Sequence, residues 1–334
     1  MTTRLVQLQN NDARKIALVA EPNLRLLREF STVYDLANYA IDNETTITRV
    51  LANVTSDDAL PYEAIYRGAS DWRLLPVIDH PREAANCLVS GTGLTHTASA
   101  KNRNAMHAVA DDELTDSMKM FRWGVEGGRP AEGAIGAAPE WFYKGCGTIL
   151  RAHNEPLLVP PHAEDGGEEP EVAGVYLIGK NGAPYRVGLT QGNEFSDHLF
   201  EKRNYLYLAG SKLHNCAVGP ELVIDHDFRS VPGTVAVERD GAVLWSHDIK
   251  SGDDEMCHSL RNIEHHHFKH AAHRRPGDIH LHFFGADAFS FGAGLRLADG
   301  DLMRVNFADF GRELRNPVKI DASANTPIAT ISLS

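Results

Sequence analysis

The chain has 334 residues, of which 43% are hydrophobic, 23% charged and 8% aromatic, a balance that builds an ordinary globular protein with a substantial core. Its formal charge of −12 excludes the basic surface that nucleic acid or an anionic membrane requires. No apolar run approaches the roughly 20 residues needed to cross a bilayer, and Met1 to Asn11 alternates polar and apolar residues without the apolar stretch of a secretory signal. Cys87, Cys146, Cys216 and Cys257 are scattered without CxxC spacing, which fits a reduced, cytoplasmic setting and neither a disulfide framework nor a zinc knot.

Residues 15–20 read as a strand. Residues 32–43, with Val33, Leu36, Ala37 and Ile41 on one stripe, read as a helix, and a second helix begins near Thr45. Together they predict a small N-terminal α/β unit ending near Asp71 to Pro76, giving domains at 1–75 and 76–334. The remainder is rich in short β-branched segments broken by Gly, Pro and Asn, as in a mostly β domain. A buried strand over 87–89 runs into Gly91-Thr92-Gly93-Leu94-Thr95-His96. The Gly-rich stretch 124–138 reads as a loop or lid, and 162–167 as a polar turn.

Glu169-Pro170-Glu171 then places two carboxylates at i and i+2, on one side of an extended chain. An apolar run follows to Gly179, and Lys180-Asn181-Gly182 is a tight-turn signal. The return strand, Tyr185 to Thr190, carries Glu194 back to the level of the first pair. Three converging carboxylates repel unless a cation sits between them, and all-oxygen ligation suits Mg2+, with Mn2+ or Ca2+ as alternatives. The competing reading is a solvated strand end, which is what most glutamates are.

The run from Glu169 to Pro220 resembles the metal-binding core of the fumarylacetoacetate hydrolase superfamily. Glu169 and Glu171 match its E-x-E pair, Gly188-Leu189-Thr190-Gln191-Gly192-Asn193-Glu194-Phe195-Ser196 its G-Y/F-T-x-x-N-D-x-S segment, and Lys212 with Gly219-Pro220 its later lysine and G-P. Pro139-Glu140-Trp141-Phe142-Tyr143-Lys144 is similar to its P-x-x-F/Y-x-K strand. Pro276-Gly277-Asp278 and the stretch from Asp299 to Pro317 resemble its closing strands. Asn204-Tyr205-Leu206-Tyr207-Leu208 and the acid at Glu140 look more like the 2-keto-3-deoxy-pentonate dehydratases than the C–C bond hydrolases. Three departures stand out: the third metal acid is Glu194 where Asp is usual; Ser196-Asp197-His198-Leu199 lacks the arginine of S-A-R-D; and His282-Phe283-Phe284-Gly285 replaces the T-G-T-P loop.

The resemblance implies an α+β fold, a small N-terminal domain beside a rolled mixed β-sheet catalytic domain, assembled as a dimer or higher homo-oligomer. It implies Mg2+ on Glu169, Glu171 and Glu194, and a small 2-keto acid as substrate. Loss of water from a 2-keto-3-deoxy-pentonate, in non-phosphorylative pentose catabolism, is the reaction implied. Lys212 is the candidate base for the C3 proton and Glu140 for the second proton transfer, roles that the sequence leaves exchangeable. Lys144, Phe195 and Ser196 are candidate substrate contacts, as are Gly91, Thr92, Gly93 and Thr95 of the glycine-led loop. His96 matches the histidine of the hydrolases' H-x-x-E dyad, with Ser99 in place of its glutamate; a capped loop histidine is the plainer alternative. Two other functions stay open: a hydrolase or decarboxylase of a diketo acid, and a non-catalytic sugar-acid binding protein.

The run from Glu264 to His273 carries five histidines. If helical, it brings His266 and His270, and His267, His270 and His273, onto shared faces. No acid or cysteine beyond Glu264 completes a zinc set, so a polar helix before Pro276, at a subunit contact, is the preferred reading.

Overall fold

The computed structural model describes residues 2–96 and 115–333. Its chain opens with β1 (Thr3–Asn10), β2 (Ala13–Ala20), β3 (Asn23–Leu27) and β4 (Thr55–Pro61), each antiparallel to the next. Alternation along β1 and β2 feeds two cores at once: Leu5 and Ile16 enter one, Val6, Leu8 and Ala17 the other. Helices α1 (Val33–Asp42) and α2 (Ile47–Val54) supply the first core with Val33, Leu36, Val50 and Leu51. Thr32 and Thr46 cap them, their hydroxyls accepting from the N–H groups of Asp35 and Arg49. Both helices and the strand read from the sequence are therefore in place.

The following strands are β5 (Arg73–Leu74), β6 (Cys87–Gly93), β7 (Glu140–Cys146), β8 (Leu150–Arg151), β9 (Leu157–Val159), β10 (Pro170–Ile178) and β11 (Pro184–Asn193). Then come β12 (Cys216–Val218), β13 (Leu222–Ile224), β14 (Val231–Arg239), β15 (Ala242–Ser251), β16 (Ile279–Phe283), β17 (Leu302–Phe307) and β18 (Leu314–Ile320). Among the described residues they form two mixed sheets with few helices. The larger has thirteen strands, ten of them along β4-β3-β2-β1-β13-β11-β10-β16-β6-β7, with β5 paired to β1, β12 to β11 and β8 to β12 off this path and with β16 and β6 parallel. Leu5 of β1 opposes Leu222 of β13, so the N-terminal ladder continues the sheet that carries the rest. The smaller sheet runs β15-β14-β17-β18-β9, with β18 and β9 parallel.

β10 is buried at all nine positions. Ala173, Val175 and Leu177 point into the core beneath α1 and α2, while Val172 joins Val235, Val305 and Phe307 of the smaller sheet in the second core. Truncating a side chain such as Leu177 to alanine costs about 2–5 kcal/mol in such a setting. This fully buried strand begins at the acidic pair.

Two expectations change. The stretch 124–138 is not all loop, because Gly124 to Gly127 belong to the helix Asp116–Gly127, capped by Thr115. A Cβ on Gly124 would stand 2.6 Å from His258 Nε2 and 2.8 Å from Cys257 Sγ, so close packing explains that glycine. The histidine run is not one helix either: the helix Leu260–Phe268 ends before His270, which is extended at φ −80° and ψ 128°, and Ala271–Arg274 is a separate turn. Among the described residues no helix is long and apolar enough to cross a membrane.

Candidate active site

The hairpin of β10 and β11 assembles the centre. Gly182, at φ +75°, donates its N–H to Gly179 O at 2.8 Å and closes the turn. From there the ladder runs to Pro170 opposite Asn193, interrupted by an irregularity between Val175 and Tyr176. Beyond it, Glu194 N–H donates to Glu169 O at 2.9 Å. The register thus delivers Glu169, Glu171 and Glu194 to one spot, where one oxygen of each lies within 4.8 Å of the others. All three are buried, with 7%, 1% and 0% of their surface exposed. Among the described residues this is the one group of three or more His, Cys, Asp or Glu with ligand atoms that close.

Two lysines face the carboxylates. Lys212 Nζ lies 2.5 Å from Glu169 Oε1 and 2.6 Å from Glu194 Oε2, and donates to Ser196 Oγ at 3.1 Å. Lys144 Nζ lies 2.5 Å from Glu194 Oε1 and donates to the carbonyls of Phe195 and Lys212 at 2.7 and 2.8 Å. Ser196 Oγ in turn donates to Glu194 Oε2 at 2.9 Å, and the Gly285 N–H donates to Glu171 Oε2 at 2.6 Å. His198 Nε2 stands 3.0 Å from Glu169 Oε1.

The electrostatics separate the acids. Burial opposes ionisation of Glu169, but Lys212 and His198 outweigh it and hold that carboxyl well below the usual range. Glu171 is pushed well above it, first by burial and then by the charges of Glu194 and Glu169. Burial works against the imidazolium of His198, yet the Glu169 carboxylate raises it. The donors the three acids offer to the centre are all carboxylate oxygen, and Glu171 is the acid whose ionisation a cation there would favour. That set fits a hard divalent cation.

β7 supplies the wall. Its alternation buries Glu140, Phe142 and Lys144 and exposes Trp141 and Tyr143. The Phe142 ring lies 4.9 Å from Lys212 Nζ, and Glu140 Oε2 accepts from Tyr205 Oη at 3.1 Å. Across the ladder, Gly91 opposes Phe142 and Gly93 opposes Glu140. A Cβ on Gly91 would meet the Phe142 ring at 2.4 Å, so this glycine lets the ring lie against the strand.

Other candidates are placed differently. Thr92 opposes Trp141, on the reverse face, and its hydroxyl is 2.7 Å from His282 Nε2. The Phe195 side chain, at φ +50°, is wholly buried in the second core, and its carbonyl meets Lys144. Thr95 Oγ1 donates to Phe284 O at 2.8 Å and therefore accepts from His96 Nδ1 at 2.9 Å. Burial lowers His96 to about 4, which keeps it neutral, and its Nε2 lone pair has no hydrogen-bond partner among the described residues. Ser99 lies outside the described residues.

The reverse face of β6, β7 and β16 holds the histidines. Trp141 Nε1–H donates to His267 Nδ1 at 3.1 Å, so His267 Nε2–H donates to His280 Nδ1 at 2.9 Å. His282 is bonded by Ser90 and Thr92 through both ring nitrogens. Burial and mutual repulsion lower His280 and His282 to about 3. Both nitrogens of His267 and of His282 are taken, while His280 Nε2 has no partner among the described residues.

Sequence reasoning passed over His198, Tyr205 as partner of Glu140, and Gly285. The one signal for His198 was its place in the segment where arginine is expected.

No family model matches the chain. A curated protein of Haloferax volcanii described as "Probable 2-keto-3-deoxyxylonate dehydratase" is 28% identical over 130 residues, 37% of this chain. The match spans 43% of that relative, less than half its length. Among solved structures, the apo form of 2-keto-3-deoxy-D-arabinonate dehydratase aligns with a TM-score of 0.70 at 20% identity, over 96% of this chain and 100% of that one. The same dehydratase complexed with magnesium and 2,5-dioxopentanoate gives 0.69 at 20% identity, with the same coverage. A 2-hydroxyhepta-2,4-diene-1,7-dioate isomerase from Mycobacterium marinum gives 0.60 at 19%, over 96% and 100% of the two chains. The chain therefore has the fold of these proteins, and the resemblance read from its sequence points to the same group.

Proposed function

We propose that the chain is a magnesium-dependent hydro-lyase that dehydrates a 2-keto-3-deoxy-pentonate to 2-oxoglutarate semialdehyde in non-phosphorylative pentose catabolism. The observation that carries this reading is the buried Glu169, Glu171 and Glu194 triad with Lys212 bonded to it, and with Glu140 on the same buried face of β7 as the Lys144 that meets Glu194. The likeness in fold to a dehydratase solved with magnesium and 2,5-dioxopentanoate supports it.

Glu169, Glu171 and Glu194 would hold the ion. When bound, the ion polarises the 2-keto group and makes the C3 proton more acidic. Every other step falls to the chain. Lys212 is within reach of the acids' centre and, as the free amine, accepts the C3 proton. Glu140, oriented by Tyr205, delivers a proton to the C4 hydroxyl as it leaves as water. Transfer of a C5 proton to C3, and of the C5 hydroxyl proton to C4, then turns C5 into the aldehyde. Lys144 holds Glu194 in place through their buried contact, and the Phe142 ring keeps water from the Lys212 amine. The Gly93 backbone opposite Glu140, the Gly91 and Thr92 backbone, Thr95, and Ser196 with the Phe195 carbonyl are the proposed surroundings of the substrate. A cytoplasmic homo-oligomer, at least a dimer, completes the reading; the four free cysteines agree with that compartment.

His96 favours a second reading. A neutral imidazole with an open Nε2 lone pair suits a water-activating base, as a hydrolase or decarboxylase of a diketo acid would need. Turnover of D- and L-2-keto-3-deoxy-pentonate with Mg2+ and with EDTA decides between them. Metal-dependent 2-oxoglutarate semialdehyde from either isomer is the expected result. Pyruvate from acylpyruvates, abolished in His96→Asn, with no dehydration of either pentonate, would overturn it.

A further inference from the structure

We infer that His198, held by the turn at Phe289 to Phe291, is the positioning residue that aims Glu169 at the metal; this rests on the metal-site reading above. Glu169 is gripped from two sides by one segment. Along the chain, its neighbour Glu168 is fully buried and accepts from Ser290 N at 2.6 Å and from Ser290 Oγ at 2.9 Å. Through space, His198 stacks on Phe289, ring centroids 4.8 Å apart and planes 13° off parallel, with Phe291 tilted against it at 5.0 Å. The imidazole edge so fixed meets Glu169 Oε1 at 3.0 Å.

The third side is backbone. A Cβ on Gly167 would stand 2.4 Å from His198 Nδ1, so a glycine there lets the ring seat fully. The helix His198–Arg203, capped by Asp197, starts at this residue, which fixes its backbone as well. Among the described residues the ring's hydrogen bond goes to Glu169 alone, its Nδ1 having no partner. Its geometry serves one carboxylate.

Imidazole also suits the task better than the guanidinium expected at this place. Arginine presents a fork that takes both oxygens of a carboxylate. His198 offers one nitrogen to Oε1, and Oε2 stays available for the cation. A ligand held in one orientation binds a metal more tightly than a free one, and losing such support typically costs about 10–100-fold in metal affinity.

The test is Mn2+ binding to the EDTA-stripped full-length protein, read from the electron paramagnetic resonance of free Mn2+, with folding followed by circular dichroism. His198→Ala is expected to weaken Mn2+ about 10–100-fold. His198→Gln, which restores a donor, should recover part of that loss. Phe289→Ala should weaken Mn2+ as well, and the double variant should be no weaker than His198→Ala alone. Unchanged affinity in His198→Ala, or additive losses in the double variant, would overturn the inference. If His198→Ala does not fold, Phe289→Ala and His198→Gln carry the same comparison. Absence of Mn2+ binding by the unaltered protein would instead overturn the metal-site reading itself.

Discussion

Lys144 and Glu194 form an ion pair with no exposure on either side chain, Nζ to Oε1 at 2.5 Å. Such a pair is costly to break from one end, because the remaining charge stays in a low-dielectric interior. Lys144→Met keeps the length and removes the charge. It is expected to destabilise the protein by about 3–5 kcal/mol, seen as a lower urea midpoint. Added Mg2+ should stabilise this variant more than the parent, since the ion would take over the missing charge. A midpoint unchanged in EDTA would show that Glu194 does not depend on Lys144.

Glu171 behaves in the opposite way. It is the acid raised by its neighbours, so its charge works against folding in the absence of a cation. Glu171→Gln should abolish metal-dependent turnover, while its thermal midpoint in EDTA stays level or rises by roughly 1–3 °C. A marked fall would mean that the carboxylate itself, through the Gly285 N–H, holds the loop.

The same shift fixes a pH dependence. A carboxyl whose folded value lies above its unfolded one binds more protons when folded, so its contribution to stability falls as pH rises between the two values. A divalent ion binds only the ionised form, and its binding displaces that proton. The stabilisation by Mg2+ relative to EDTA should therefore be larger at pH 8 than at pH 5.5. Differential scanning calorimetry at the two pH values checks this; an equal or reversed difference contradicts it.

Glu140 and Tyr205 separate chemistry from metal binding. Glu140→Gln should lower kcat by about 10^2–10^4-fold while Mn2+ affinity stays at the parent value. Tyr205→Phe, which removes the hydroxyl that bonds Glu140 at 3.1 Å, should lower kcat by roughly tenfold through misorientation. Loss of Mn2+ affinity in Glu140→Gln would assign that acid to the metal instead.

Much of the site was legible because it is local. The Asn-Gly turn, the i, i+2 acids and the equal spacing of Glu194 from the turn follow from strand periodicity alone, and β10 with β11 places them as the ladder requires. Lys144 and Lys212 came from resemblance, since nothing in their own neighbourhoods says that they meet a carboxylate. His198 could not be read from its surroundings because its ring is fixed by Phe289 and Phe291, far along the chain. The glycines at 124–138 misled for a related reason: a glycine required by a tertiary contact with His258 looks the same as one required by a loop. The histidine run misled because His270 leaves the helix.

β7 carries Glu140, Phe142 and Lys144 on one face and Trp141 and Tyr143 on the other, with the acid centre before it and the imidazole layer behind. Inserting or deleting a single residue within this strand would therefore exchange the two sets, sending an indole toward the carboxylates and a lysine among the histidines. Substitution at constant length keeps the two sets on their own faces. A homologue with an altered spacing between Glu140 and Lys144 would need a bulge to survive, and that bulge would mark a changed reaction.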